Sequence, residues 1–370
     1  MRVTLERSAL LKALGHVHRV VERRTTIPIL SNVLLRAANS ALKLQATDLD
    51  LEVVESVPAN VGDAGATTVP AHTFYDIIRK LPDGSEITLE QSGTTLALSA
   101  GRSRFTLQTL PEADFPDLTA GDLPVRFDLA AAELKRLIDK TQFAISTEET
   151  RYYLNGIYFH AIDVEGIRML RAVATDGHRL ARVEIPAPSG SGEMPGVIIP
   201  RKAVAEVQRL VEDPDGTVVV ELSPVKVRFT IGSVVLTSKL IDGTFPDYAR
   251  VIPVGNDKQL LVDKGDFTSA VDRVSTISSE RGRAVKLALG QGRLVLTVTN
   301  PDSGTATEEL EVDYTADAIE IGFNSRYLLD ILGQVDGDAA VLKLADPGSP
   351  TLLHEQDGTS ALYVLMPMRV

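Results

Sequence analysis

The sequence contains no cysteine. Disulfides, a thiolate nucleophile, iron–sulfur clusters and Cys-based zinc sites are therefore excluded. Nor does any apolar run approach the ~18–20 residues that span a bilayer as a helix, so no membrane association is expected. The chain opens on strand-like RVTL, which predicts no signal peptide and makes a cytoplasmic protein the simplest expectation. The common catalytic signatures are missing as well: GxxxxGKS/T, GxGxxG, GxSxG and HExxH do not occur. The 6 histidines are scattered. His16 and His18 lie two apart on a predicted helix, so they point apart and cannot share one ion. Positive charge is in deficit, with 38 Lys and Arg against 50 Asp and Glu and a net charge of −12. Taken alone this speaks against nucleic-acid binding, although an acidic total can hide a basic stripe. The carboxylates are numerous but dispersed. No constellation recommends catalysis, and neither a cofactor nor a metal is expected.

What is present is repetition. RVTLERSALLKALGHVHRVV (Arg2–Val21), VRFDLAAAELKRLIDKTQFAI (Val125–Ile145) and KQLLVDKGDFTSAVDRVSTIS (Lys258–Ser278) each read as strand, polar break and amphipathic helix. A second unit echoes too: VPAHTFYDIIRKL from Val69 and IIPRKAVAEVQRL from Ile198 both lead into strands that end at FPDL (Phe115–Leu118) and FPDY (Phe245–Tyr248). Pro70 and Pro200 are 130 residues apart, as are Phe115 and Phe245. That interval is the size of a whole domain and too long for a solenoid repeat. A chain of 370 residues therefore divides into three similar domains, over 1–120, 121–253 and 254–370. Turn-rich Asp117–Pro124 and Pro253–Lys258 are the linkers, and Pro186–Gly196 reads as a long surface loop.

Leu10, Leu14, Val17 and Val21 make one buried helical stripe. Phe74, Ile77, Ile78 and Leu81 make another, and Leu134, Leu137, Ile138 and Thr141 a third. Period-two strands cover Ile87–Ala100, Gly216–Leu240 and Gly292–Asn300. The class is α+β: antiparallel sheets with helices gathered on one face. Basic residues favour the helices: Lys12, Arg19, Arg23, Arg24, Arg79, Lys80, Lys135, Arg136, Lys140, Arg201, Lys202, Arg209 and Arg273 lie on or beside them. Each alone is compatible with a solvated helix face.

ATDGHRLA (Ala174–Ala181), TSKLIDGTFPDYARV (Thr237–Val251) and YVLMPMRV (Tyr363–Val370) are more specific, joined by TRYYLNGI (Thr150–Ile157) and RRTTIPILSN (Arg23–Asn32). Locally they read as a hairpin turn, a turn with one buried aromatic and an adaptable apolar end. Together, in order and over the whole chain, they resemble the bacterial DNA polymerase III β subunit family of sliding clamps.

The resemblance implies a homodimeric ring with pseudo-sixfold symmetry, its helices lining the hole and its sheets outside. Such a ring is a non-enzymatic processivity factor that encircles double-stranded DNA without sequence preference. It tethers the replicative polymerase subunit, the clamp loader, and other polymerases and repair proteins that carry clamp-binding motifs. By position, Arg24, Tyr152, Tyr153 and Lys202 are implied DNA contacts, and His72 stands where the family can have arginine. A partner-peptide pocket between the second and third domains is implied at Leu154, Thr175, Gly177, His178, Arg179, Leu180, Pro246, Arg250, Val251, Val364, Met366, Pro367, Met368 and Arg369, with Asn324 and Tyr327 at its rim. Phe105 and Leu107 on one side and Ile277 on the other are implied at the dimer contact, where Arg102 and Arg104 would meet acids such as Glu308. A scaffold that never encircles DNA would keep the pocket motifs and leave the helix-borne cations incidental.

Overall fold

The computed structural model describes residues 1–118, 121–278, 283–358 and 360–370. Its α-helices are α1 (Arg7–Val17), α2 (Ala71–Lys80), α3 (Ala131–Asp139), α4 (Arg201–Leu210), α5 (Lys264–Ser275) and α6 (Ser325–Leu332). Their apolar spacing explains them. Leu10, Ala13, Leu14 and Val17 are buried on α1, Phe74 and Ile78 on α2, and Phe267, Ala270, Val271 and Val274 on α5. The starts are marked as physical chemistry requires. Asp263 caps α5 by accepting from the Asp266 amide, and Asn324 caps α6 by accepting from Arg326 and Tyr327. Val21, expected on the α1 stripe, is buried but lies beyond a short 3-10 turn, His18–Val20.

The described residues pack as two compact units, and within each the sheets are antiparallel throughout. The first unit comprises 1–134, 188–194 and 205–240. It holds a five-stranded sheet in the order Asn60–Asp63, Arg2–Glu6, Glu86–Ser92, Thr95–Ala100, Ser103–Gln108. Its eight-stranded sheet runs Val125–Ala130, Thr217–Leu222, Lys226–Ile231, Val234–Lys239, Leu51–Pro58, Ala41–Thr47, Asn32–Ala38, Gly65–Pro70. The second unit comprises 135–187, 195–204 and 241–370. Its nine-stranded sheet runs Val197–Pro200, Gly156–Val164, Ile167–Thr175, Arg179–Pro186, Ala361–Leu365, Thr351–Glu355, Ala339–Leu344, Lys258–Asp263, Asp313–Tyr314. Its four-stranded sheet runs Gly304–Glu311, Arg293–Asn300, Ala284–Gly290, Ile319–Asn324.

These sheets join one sequence repeat to the next. Val234–Lys239 pairs with Leu51–Pro58, setting Leu236 opposite Val53. The corresponding strands one repeat further on, Ala361–Leu365 and Arg179–Pro186, pair in the same way and set Val364 opposite Leu180. The loop expected at Pro186–Gly196 is better packed than its composition suggests. Ser191 and Met194 are buried, and Gly190, at φ +93°, lies so close to the Arg126 carbonyl that no side chain would fit.

Candidate peptide-binding site

The sheet register places the most specific sequence motifs together. The turn between Ile167–Thr175 and Arg179–Pro186 is built by its own side chains. Asp176 Oδ1 accepts from the amides of His178 (2.9 Å) and Arg179 (3.0 Å), and Thr175 Oγ1 donates to the Arg179 carbonyl (2.7 Å). Gly177 takes φ +90°, a conformation that side-chain-bearing residues rarely adopt, so glycine suits the turn. Two 3-10 segments, Glu149–Leu154 and Tyr248–Val251, approach this turn. Together they enclose a cavity of about 300 Å³.

Leu154, Leu180, Tyr248 and Val364 supply its apolar floor and belong to a buried cluster with Val173, Ile198 and Phe245. At the mouth, Val251 and Met366 remain 47% and 38% exposed. Polar groups ring this apolar floor. Arg151 pairs with Glu148 at 2.7 Å, and Asp247 pairs with Arg250 at 2.7 Å. The Glu148 carboxyl is held below the usual range by its hydrogen bond from Arg151. An apolar floor with a few fixed polar groups is the make-up of a ligand site.

Arg179 is the anchor of one wall. Its Nε donates to Asp176 Oδ2 (3.1 Å), Nη1 to Asp330 Oδ2 (2.5 Å) and Nη2 to the Phe143 carbonyl (2.7 Å). Its guanidinium lies 4.2 Å from the centre of the Tyr327 ring and 5.1 Å from that of Phe143. Beneath the floor, the Tyr248 hydroxyl bonds to Arg171 Nη1 and to His160 Nε2, each at 2.9 Å. Arg171 also donates twice to Glu184 Oε2, at 2.8 and 2.6 Å. Burial, and then the Arg171 charge, push the His160 imidazole down to about 4.

Of the residues implied for partner binding, Leu154, Thr175, Gly177, Arg179, Leu180, Pro246, Val251, Val364 and Met366 line this cavity. His178 stacks on Tyr327 with ring centroids 6.2 Å apart, and Asn324 is occupied in capping α6. Arg250 turns to Asp247. Met368 and Arg369 line a different and larger hollow, about 740 Å³, against Ile321 and Gly322. Pro367 lies between the two groups. Tyr153, implied as a DNA contact, lines the cavity and meets Tyr152 edge-on at 5.8 Å. Tyr152 itself is 53% exposed. Sequence reasoning missed Arg151, Asp247 and Tyr248. The signal for Tyr248 was present, because the first copy of the same motif ends in leucine, FPDL against FPDY.

Arg24 is exposed in the first unit, and Lys202 stands half-buried near the start of α4. Phe105 (37% exposed) and Leu107 share one face of the edge strand Ser103–Gln108. Ile277 is half-buried just beyond α5, its carbonyl taken by Asn300 Nδ2 at 2.8 Å. Glu308, expected to meet Arg102 or Arg104, is ion-paired within the chain to Arg273. Lys140 departs most from the picture of helix-borne surface cations. It is buried against Glu355 (2.6 Å) and Asp336 (2.7 Å). His16 is half-buried with Nδ1 2.8 Å from Glu55 Oε2.

Three family models match in order: the N-terminal, central and C-terminal domains of the DNA polymerase III beta subunit, over residues 1–119, 128–247 and 249–369. The beta sliding clamp of Caulobacter vibrioides is 56% identical over 372 residues, covering 100% of each chain. That of Escherichia coli K12 is 42% identical over 375 residues, again covering 100% of each. The crystal structure of a Bartonella birtlesii DnaN sliding clamp bound to griselimycin superposes with a TM-score of 0.98 at 59% identity, covering both chains fully. A Pseudomonas aeruginosa clamp, also bound to griselimycin, gives 0.95 at 42% identity, with both chains again covered in full. On matches that run from end to end, this chain belongs to the DNA polymerase III beta subunit family, the beta sliding clamps.

Proposed function

We propose that the chain closes a ring with a second copy of itself, encloses duplex DNA, and tethers replication proteins through the cavity. The observation that carries this reading is a missing junction. Two of three equivalent strand pairings are made within the chain, at Val234–Lys239 with Leu51–Pro58 and at Ala361–Leu365 with Arg179–Pro186. The third would join Ser103–Gln108 to Gly304–Glu311, and both of these are sheet edges. They are also largely exposed along their length, unlike their counterparts. Unpaired edges invite another chain. Joined head to tail between two copies, each edge meets its complement and the assembly closes without a free end.

Charge and shape favour that contact. Arg104 lies on one edge, with Glu309 and Glu311 on the other. Beside Phe105, a hollow of about 430 Å³ lined by Ile77, Leu81 and Pro82 offers room for an apolar side chain, and Ile277 is the candidate. A closed ring holds DNA by enclosure, so weak, sequence-blind phosphate contacts suffice and sliding stays easy. Arg24, Tyr152, Tyr153 and Lys202 are the residues we assign to DNA, the tyrosines by stacking on exposed bases.

The cavity suits a short linear peptide with apolar terminal residues, seated on Leu154, Leu180 and Val364. The peptide's polar groups would meet Arg151, Thr175 and the rim. The clamp loader and the polymerases are its expected users, in the cytoplasm, where the chromosome is copied. The domains are assigned to 1–120, 121–253 and 254–370. The test is retention. After loading, the protein should stay on closed circular DNA and leave once the circle is cut. Equal retention on both forms would refute enclosure.

A further inference from the structure

The segment Met366–Val370 leaves the nine-stranded sheet after Leu365 and crosses to the edge of the four-stranded one. It is pinned on both sides of Pro367. The Met366 amide donates to the His178 carbonyl at 2.9 Å, and the Met368 amide donates to the Gly322 carbonyl at 2.8 Å. Pro367 has no amide to offer and a fixed φ, so the span between the pins is short and stiff. Gly322 sits within the edge strand Ile319–Asn324, where a glycine interior to a strand marks the close approach of another backbone. The approach is specific. A Cβ at 322 would lie 2.7 Å from the Met368 carbonyl oxygen and collide with the Val370 side chain.

We propose that Gly322 is a positioning residue for peptide binding: its bare backbone holds Met368 and Val370, and so fixes Met366 as a wall of the cavity. The proposal rests on reading that cavity as a peptide site. Gly322 is not among the residues that line the cavity, so its effect passes through the strap. With the Gly322 pin lost, the His178 bond still holds the Met366 backbone, but residues 367–370 come away from the strand. The Met366 side chain then loses its backing and is free to turn away from the floor made by Leu180 and Val364. A bound peptide loses contact on one side, and the loss falls on its residence time.

The test uses the full-length protein and a labelled synthetic pentapeptide that ends in two large apolar residues. Gly322→Val crowds the strap off the strand. Met368→Pro removes the strap's own donor, along with the methionine side chain, at a position outside the named strands. Both variants should release 367–370, seen as faster hydrogen exchange of that segment. Both should dissociate the peptide about tenfold faster, with association unchanged and melting temperature within about 2 °C of the parent. A freed segment with an unchanged dissociation rate in Met368→Pro overturns the proposal. So does a rate that changes only in step with melting temperature. A parent protein that fails to bind the peptide overturns the cavity reading itself, and this proposal with it.

Discussion

Arg179→Lys tests whether the cavity wall is held by a planar fork or merely by a positive charge. The guanidinium makes three hydrogen bonds in different directions, to Asp176, Asp330 and the Phe143 carbonyl, while its face covers Tyr327. A lysine ammonium is one compact donor centre and can satisfy one of these partners well. Two charge-assisted bonds are then lost, at ~1.5–3 kcal/mol each before rehydration of the freed carboxylates. The cation–π contact adds about 0.5–2 kcal/mol. Asp330 is a third exposed and recovers water readily, which brings the net cost to roughly 2–4 kcal/mol. The damage is local, because Asp176 also caps the turn through the His178 and Arg179 amides. Those amides should exchange roughly 30- to 700-fold faster, the factor that corresponds to 2–4 kcal/mol of easier opening. Peptide affinity should fall with it, since Thr175 and Gly177 line the cavity from the same turn. Hydrogen exchange resolved at residues 176–180 is the measurement. Parental exchange rates in Arg179→Lys would refute the claim that fork geometry carries this wall.

Two histidines give the units opposite responses to pH. The hydrogen bond to Glu55 favours the charged form of His16 and raises its pKa. Its contribution is therefore complete below about 6.5, the unfolded value, and fades as pH climbs through the raised folded value. Melting of the first unit followed from pH 5.5 to 8.5 should fall with pH, and His16→Gln should flatten that slope. His160 is pushed down to about 4, so its neutral form is favoured on folding. That stability is present above about 6.5 and is lost as pH falls towards 4, on the order of 2–3 kcal/mol once discounted for partial exposure. His160→Gln should remove this acid sensitivity from the second unit. Phe105→Asp, or Ile277→Asp in the same assay, should convert a dimer to monomers in sedimentation, because an unpaired carboxylate in an apolar contact costs several kcal/mol. Unchanged mass in both would refute the proposed junction.

Local periodicity carried much of this fold. The amphipathic stripes on Leu10, Phe74 and Leu134, and the alternation through Gly216–Leu240, are near-neighbour patterns that follow directly from side-chain geometry. The pairing of Val234–Lys239 with Leu51–Pro58 was not legible, because either strand would accept several partners by pattern alone and only tertiary packing selects one. Most residues that line the cavity were implied by the family resemblance, on four separate stretches that the fold brings together. Arg151 escaped notice because its place depends on a 3-10 segment with an irregular backbone at that residue. Lys140 was misread for a similar reason. By its local spacing it looks like a surface cation, and the carboxylates that meet it, Asp336 and Glu355, come from about 200 residues further along.

Much of the positive charge on the helices is already neutralised within the chain. Several of the helix-borne cations are already engaged by acids of their own chain: Lys12 by Glu212, Arg79 by Asp76, Lys135 by Asp139, Arg209 by Glu206 and Arg273 by Glu308. Acids therefore sit on or beside the helices as well as in strands and loops. Four of these pairs have both partners substantially exposed or nearly so, and such pairs are worth at most about 1 kcal/mol each. A passing phosphate can displace the carboxylate at little cost and be displaced in turn. Lys140 differs, because its own ammonium is buried and its departure would strand the mostly covered Glu355 carboxylate with little water. The net phosphate affinity is thus kept low by internal competition, which favours a device that must move along DNA. The consequence is measurable as a shallow dependence of DNA retention on salt, since few counterions are released when a phosphate merely replaces a carboxylate. Asp76→Asn with Asp139→Asn frees Arg79 and Lys135 and should steepen that slope by about one to two units. A slope identical to the parent's would mean that these cations never meet the phosphates at all.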